Sequence, residues 1–152
     1  MADKFVIFLP KTDKMKKQIT VTLFLLIVAC SLFAQQADYK VVFDMSTRDS
    51  VSRQALIREV ELIRTYNPAS KVEVVIYGQG LNLVLKDKSK HVEAITKLLA
   101  DKNTEFKVCE FTMKRFEVDE SKLIPGVKIV PDGIYEIISK QREGWGYIKV
   151  AH

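Results

Sequence analysis

The sequence contains little cysteine and little histidine. Its 152 residues include two cysteines, Cys30 and Cys109, and two histidines. Two thiols are too few for a disulfide-stapled scaffold. His91 and His152 lie far apart in the sequence, so we expect neither a metal site nor a general base for a cysteine hydrolase. The sequence also indicates no cofactor.

A long apolar run and a phosphate-binding glycine fingerprint are both missing. The apolar run from Ile19 to Ala29 has 11 residues, whereas a membrane-spanning helix needs about 20. Gly78-Gln79-Gly80 follows a predicted strand without a third glycine or a Lys-Ser or Lys-Thr pair. Two interpretations of Gly78 and Gly80 stay open: a tight turn, and a close approach of the backbone to a bound ligand.

Residues 15–34 resemble a secretory signal peptide. A basic start at Met15-Lys16-Lys17 precedes the apolar run, and Leu32-Phe33-Ala34 fits a signal-peptidase site. The competing site is a lipobox-like sequence that ends at Cys30, which would then carry lipid. We favour cleavage after Ala34, with residues 1–34 as extension and signal peptide and 35–152 as the domain. We therefore expect a periplasmic or secreted protein, membrane-bound only if Cys30 is lipidated, with Met15 as a candidate start.

Most of the positive charge lies in the predicted export segment. Residues 1–34 carry five lysines and two aspartates, so their removal lowers the formal net charge from +5 to +2. The remaining 118 residues have no basic stripe of the kind that nucleic-acid binding needs. We expect no nucleic-acid partner. This length suits a single domain with one substantial core.

Hydrophobic patterning in the remaining domain alternates between strand and helix. Apolar, β-branched runs predict strands, and i, i+4, i+7 spacing predicts helices, with Ile134, Ile137 and Ile138 facing inward on the last helix. This order predicts an α/β protein: a three-layer α/β/α sandwich, Rossmann-like or flavodoxin-like, with a mostly parallel five-stranded sheet. The predicted strands are 39–45, 71–77, 106–109, 127–130 and 144–150, and the predicted helices are 51–66, 90–102 and 134–142.

Cys109 ends the third predicted strand, and Thr112 and Met113 open the next turn. Ligands and chemistry collect at the carboxyl ends of parallel strands, where the following helix directs its free N–H groups. Lys114 and other nearby cations favour a thiolate there. An unpaired cysteine is also a common buried core residue, so both interpretations of Cys109 stay open. The functional hypothesis requires an outward-facing thiol, with Cys109 as the catalytic residue and Thr112, Met113 and Lys114 as binding residues.

Two aromatic residues mark the last predicted strand. Trp145 and Tyr147 are candidates for a subunit contact, because tryptophan is the residue most enriched at interface centres. Ordinary packing over the sheet edge is the alternative for Trp145.

A series of motifs follows the predicted strands and turns of the domain: Val41-Val42-Phe43, residues 74–81, Cys109 with Thr112-Met113, residues 123–127, Val130-Pro131, Gly133 and residues 140–148. The order of these motifs resembles the DsrE/DsrF-like family of sulfur-relay proteins, in particular its small single-domain members. The resemblance implies an α/β/α fold and assembly into homo- or hetero-oligomers such as trimers, of which we expect a homo-oligomer here. It also implies a cysteine that carries sulfur as a persulfide between donor and acceptor proteins, with Cys109 at the matching position.

Two functional hypotheses follow from these residues and this resemblance. The first is an exported sulfur carrier that acts through Cys109. The second is a non-catalytic oligomeric binding or scaffold domain that uses Gly78 to Leu81 and the sheet edge as a small-ligand pocket.

Overall fold

The computed structural model describes residues 39–150 together with Ile19 and Thr22. Cys30, Ala34 and both predicted cleavage sites lie outside the described residues. The fold reported below belongs to the compact unit Asp38–His152. Within the described ranges, no helix combines the length and the apolar content needed to cross a membrane.

Strands and helices alternate along the described chain, as the hydrophobic pattern predicts. The strands form one parallel five-stranded sheet with the order β4-β3-β2-β1-β5, which confirms the predicted α/β class and adds the strand order. The elements are β1 (Lys40–Met45), α1 (Ser50–Tyr66), β2 (Lys71–Ile76), α2 (Val92–Leu99), β3 (Thr104–Cys109), α3 (Glu110–Arg115), β4 (Lys128–Val130), α4 (Gly133–Arg142) and β5 (Gly146–Val150).

One face of the sheet carries the main hydrophobic core. Alternate residues of a strand point to opposite faces, so Phe43 and Met45 of β1 lie on the same face. They pack with Leu56 and Val60 of α1. Ile95 and Leu98 of α2, Phe106 and Val108 of β3, and Met113 of α3 belong to the same cluster. Helices α1 to α3 therefore cover this face.

Helix α4 covers the opposite face of the sheet, but with only one of the three residues predicted to face inward. Of the three isoleucines predicted to face inward, only Ile137 is buried, against Val42 and Val75. The prediction is wrong for Ile134 and Ile138, which are 56% and 47% exposed. The helix instead turns its charged side toward the sheet, as its ion pairs show.

A buried ion cluster explains this orientation of α4. The Lys107 ammonium on β3 lies 2.8 Å from Glu73 of β2, 2.7 Å from Glu136 of α4 and 3.3 Å from Glu105. Lys140, one turn after Glu136, also approaches that carboxylate, at 3.9 Å. We call Lys107, Glu73, Glu105 and Glu136 the Lys107 cluster. It holds α4 to the sheet through ion pairs, whereas α1 to α3 pack on the sheet through apolar side chains.

Burial and pairing shift the ionisation of this cluster. Burial raises the pKa of Glu73 to about 7, and the hydrogen bond and charge of Lys107 only partly oppose it. Burial lowers the pKa of Lys107, but hydrogen bonds to Glu136 and Glu73 outweigh it and leave that pKa raised. For Glu136 and Glu105 burial is outweighed by lysine partners, so both pKa values are lowered.

Candidate functional site at the carboxyl edge of the sheet

Cys109 occupies the position that the sequence pattern predicts for it. It is the last residue of β3, and its extended backbone caps the start of α3. The side chain is nevertheless only 6% exposed, so the thiol is buried rather than outward-facing. It belongs to neither hydrophobic core cluster. The thiol therefore lies at the edge of the sheet, between the core and the solvent.

Gly133, the first residue of α4, covers the thiol-bearing residue. A methyl group built on Gly133 would lie 3.2 Å from the Cβ of Cys109, 3.2 Å from Val75 and 3.4 Å from the Cβ of Tyr77. Real Cβ atoms rarely come so close, so glycine is what lets the helix approach Cys109. The sequence does not reveal this contact, because 24 positions separate Gly133 from Cys109.

A buried carboxylate, Asp44, lies on the same side of the sheet near the end of β1. Its Oδ2 accepts hydrogen bonds from the Tyr147 hydroxyl at 2.7 Å and from the Lys149 ammonium at 3.2 Å. Its Oδ1 has no hydrogen-bond partner among the described residues. The Asp44 carboxylate raises the pKa of both Tyr147 and Lys149 through these hydrogen bonds.

Tyr77 links this carboxylate with the cysteine side of the edge. It follows β2 directly, between β1 and β3 in the sheet, and its Cβ lies close to Gly133. Burial raises the pKa of its hydroxyl, and the neighbouring Asp44 carboxylate raises it further. Sequence reasoning missed this polar group, although the alternation of Tyr147 and Lys149 along the last strand is a usable signal for it.

Two predicted binding residues, Gly78 and Thr112, are brought together. The Gly78 N–H donates to the Thr112 hydroxyl at 3.0 Å, which joins the turn after β2 to the helix after Cys109. Gly78 has a φ of +55°, a conformation that side chains disfavour. This hydrogen bond therefore fixes the turn after β2 against α3 at the carboxyl edge of the sheet.

Gly80 has a packing role that its sequence context did not distinguish. A methyl group at this position would lie 2.3 Å from the carbonyl oxygen of Met45, which is too close for any side chain. The glycine is buried beneath the end of β1. The contact explains the residue without a ligand.

The other two predicted binding residues, Met113 and Lys114, lie in different environments. Met113 is 5% exposed and packs in the main core. The Lys114 side chain is 65% exposed and forms an ion pair with Glu110 at 2.9 Å. This pair offsets the negative charge of Glu110, the acidic residue next to the thiol.

The two candidate interface residues differ in their surroundings. Trp145 is half-buried, packs near Val42, Val75 and Ile137, and has the Lys140 ammonium 5.2 Å from its ring centre. Tyr147 keeps 42% of its surface exposed while its hydroxyl is held by Asp44. The geometry of Trp145 is that of a packing residue, whereas Tyr147 presents its ring to solvent.

A small cavity of about 290 Å³ lies beside the Gly78 turn. Its walls combine polar and apolar groups, including Arg48, Gln79, Asn82, Leu85 and Phe116. Within the described part of the chain, no group of three or more potential metal-ligating side chains comes together. Gly78, one of the predicted binding residues, lines this cavity.

Together these features define a doubly wound α/β protein with a thiol at the carboxyl edge of a parallel sheet. The chain belongs to the DsrE/DsrF-like family, whose model matches residues 34–150. Membership is compatible with sulfur relay. No curated protein matches the chain.

Solved structures that share the fold include the following three. A protein of unknown function from Methanobacterium thermoautotrophicum, MTH1491, is 30% identical, with a TM-score of 0.69 over 74% of this chain and 99% of its own. A conserved protein of unknown function from Bacteroides thetaiotaomicron, BT1422, is 16% identical, with a TM-score of 0.63 over 76% and 98%. The ychN protein from E. coli is 13% identical, with a TM-score of 0.60 over 74% and 99%.

Proposed function

We propose that this protein carries sulfur as a persulfide on Cys109. The observation that carries the proposal is the place of Cys109 at the carboxyl end of β3, between the starts of α3 and α4, in a member of the DsrE/DsrF-like family. Backbone N–H groups near Thr112 and Met113 would stabilise negative charge on the sulfur. Pairing of Glu110 with Lys114 supports this, because it partly offsets the negative charge of the residue next to Cys109 in the sequence.

The transfer step is an exchange of sulfur–sulfur bonds. The Cys109 thiolate attacks the outer sulfur of a donor persulfide, R–S–SH; the donor's S–S bond breaks and R–S⁻ leaves with the electron pair. The product is Cys109–S–SH, with no net oxidation. An acceptor thiolate then attacks this outer sulfur, and Cys109 leaves as the thiolate. Cys109 is 6% exposed rather than outward-facing, so attack requires a local movement that exposes the thiol, and Gly133 at the start of α4 is a close neighbour whose movement would contribute to it.

The test compares folded and urea-unfolded protein in a Cys30→Ser background, where Cys109 is the remaining thiol. After incubation with polysulfide, we expect the folded protein to gain the mass of one sulfur atom and a Cys109→Ser variant to gain none. The folded thiol should also react with iodoacetamide at a measurable rate. A folded protein that gains no sulfur and resists alkylation, while the unfolded chain reacts, would contradict the carrier function.

Burial of Cys109 and the cavity beside Gly78 favour a second candidate, a non-catalytic binding domain. In this case the thiol is a packing residue, and the cavity of about 290 Å³ holds a small ligand. An inert thiol together with ligand-induced changes confined to Gln79, Asn82 and Phe116 in amide NMR spectra would support this function. Sulfur transfer that persists when the cavity is filled by Asn82→Trp would argue against it.

We further propose that the chain forms a homo-oligomer through α4 and β5. The apolar side of α4 that faces away from the sheet exposes Ile134, Tyr135 and Ile138, and the exposed Tyr147 of β5 lies on the same face of the sheet as this helix. Exposed apolar patches of this kind typically mark contacts between proteins. We expect Ile138→Glu to lower the mass measured by light scattering. Tyr66→Glu, at an exposed site at the end of α1, is the control; equal masses for all three proteins would contradict the proposal.

We also propose that the protein is exported, with cleavage after Ala34. The support is the sequence pattern of residues 15–34. N-terminal sequencing of protein recovered from the periplasm should begin at Gln35. A lipid-modified start at Cys30 would instead establish a membrane tether, and an intact start recovered from the cytoplasm would refute export.

A further inference from the structure

A second pocket lies at the opposite edge of the sheet from Cys109, where the strands begin. Its volume is about 350 Å³, near the lower end of the range for small-molecule sites. We call it the amino-edge pocket. Its lining includes Lys40, Lys71, Glu73, Lys102, Lys140 and Trp145.

Three lysines give this pocket uncompensated positive charge. Lys40 and Lys71 are direct neighbours in the register of β1 and β2, and Lys102 stands just before β3. Among the described residues, none of the three has a carboxylate partner, whereas Glu105 and Glu143 in the same wall are paired with other lysines. Like charges on neighbouring strands repel, so an anion between them would be stabilised.

Two buried polar atoms in the wall supply the other half of a recognition site. The Trp145 indole N–H and the Glu73 Oε1 are both inaccessible to solvent and have no hydrogen-bond partner among the described residues. The Glu73 side chain is only 2% exposed, and its other oxygen is held by Lys107. An unsatisfied buried donor and an unsatisfied buried acceptor are unfavourable unless a ligand completes them.

We propose that the amino-edge pocket binds a small organic anion that also carries a hydroxyl group. The anionic oxygens contact Lys40, Lys71 and Lys102 and accept from the indole N–H of Trp145. The ligand hydroxyl donates to Glu73 Oε1. This site is separate from the thiol chemistry, since its residues lie at the other ends of the same strands.

Citrate tests binding of the anion, and tricarballylate tests the contact with the ligand hydroxyl, because the two acids differ only by one hydroxyl group. Trp145 is the single tryptophan of the chain, so its fluorescence reports on the pocket directly. We expect a saturable change with citrate, absent with sodium chloride at the same ionic strength. At about pH 8, where Glu73 is mostly ionised, tricarballylate should bind roughly tenfold more weakly, the loss typical of one hydrogen bond to a charged group.

Matched lysine variants separate a built site from general charge attraction. Lys71→Gln with Lys102→Gln should weaken citrate binding by at least roughly tenfold. Lys86→Gln with Lys97→Gln removes the same charge from exposed positions outside the pocket and should bind citrate normally. A change reproduced by sodium chloride, or equal weakening in both double variants, would overturn the site. Equal affinity for the two acids would overturn the role of Glu73.

Discussion

Replacing Lys107 with methionine should destabilise the protein strongly at high pH. The Lys107 side chain is 13% exposed and the Glu73 side chain 2%, so the variant leaves a buried carboxylate without its cation. Removing one partner of a buried ion pair costs about 3–5 kcal/mol. We therefore expect Lys107→Met to lose about that much of its free energy of unfolding at about pH 8. Urea unfolding followed by Trp145 fluorescence measures it.

The same loss should shrink at lower pH, because Glu73 then takes up a proton. The pKa of Glu73 is about 7 in the folded protein and 4.5 ordinarily, so its contribution to stability is complete below about 4.5 and is lost as the pH rises through 7. Without Lys107 this pKa rises further. In the parent protein the pKa values of Glu105 and Glu136 are lowered, so Glu73 is the carboxyl group of the cluster that titrates between about pH 5.5 and 8.

Two variants control for other effects of losing a lysine. Lys128→Met removes an exposed lysine from the neighbouring register position and should cost less than about 1 kcal/mol. Glu73→Met combined with Lys107→Met should recover most of the loss, since an apolar pair can replace a buried ion pair. The reasoning would be refuted if Lys107→Met lowered the free energy of unfolding by less than about 1 kcal/mol at pH 8. It would also be refuted if the loss were the same at about pH 5.5 as at pH 8.

Three further predictions concern the turn after β2. Gly80→Ala should lower stability by about 3 kcal/mol or more, because its methyl group meets the Met45 carbonyl at 2.3 Å; a melting temperature within two degrees of the parent would contradict this. Thr112→Val removes the acceptor of the Gly78 N–H and should cost about 1–3 kcal/mol in urea unfolding, whereas Thr112→Ser should cost less. Leu83→Ala, at a side chain with no exposed surface, should cost about 2–5 kcal/mol; a near-neutral result would mean that this segment is less tightly packed.

The order of strands and helices follows from local sequence patterns, and these were sufficient for the fold class. Cys109 at the end of β3 is an example, since a short β-branched and aromatic run stops there. The sequence could not decide between a buried and an exposed thiol, because Gly133, which packs against Cys109, follows it by 24 residues. Periodicity likewise placed Ile134 and Ile138 inward, as it would for a helix on an apolar surface.

Helix α4 shows why such a prediction fails. Its inward positions are set by Lys107 and Glu73, which lie 29 and 63 residues before Glu136 in the chain. A single helix considered alone gives no information about charges on distant strands. The same limit applies to Asp44, whose partners Tyr147 and Lys149 follow it by more than 100 residues.

The contrast between the two faces of the sheet has a consequence for how homologous chains can diverge. On the hydrocarbon face, a residue such as Val74 or Val108 can change to another aliphatic side chain alone, with a small packing cost. On the ionic face, Lys107 can be exchanged only together with Glu73, because loss of the lysine alone leaves this buried carboxylate without its cation. Aligned homologues should therefore show correlated substitution at positions 73 and 107 and independent drift at the aliphatic ones.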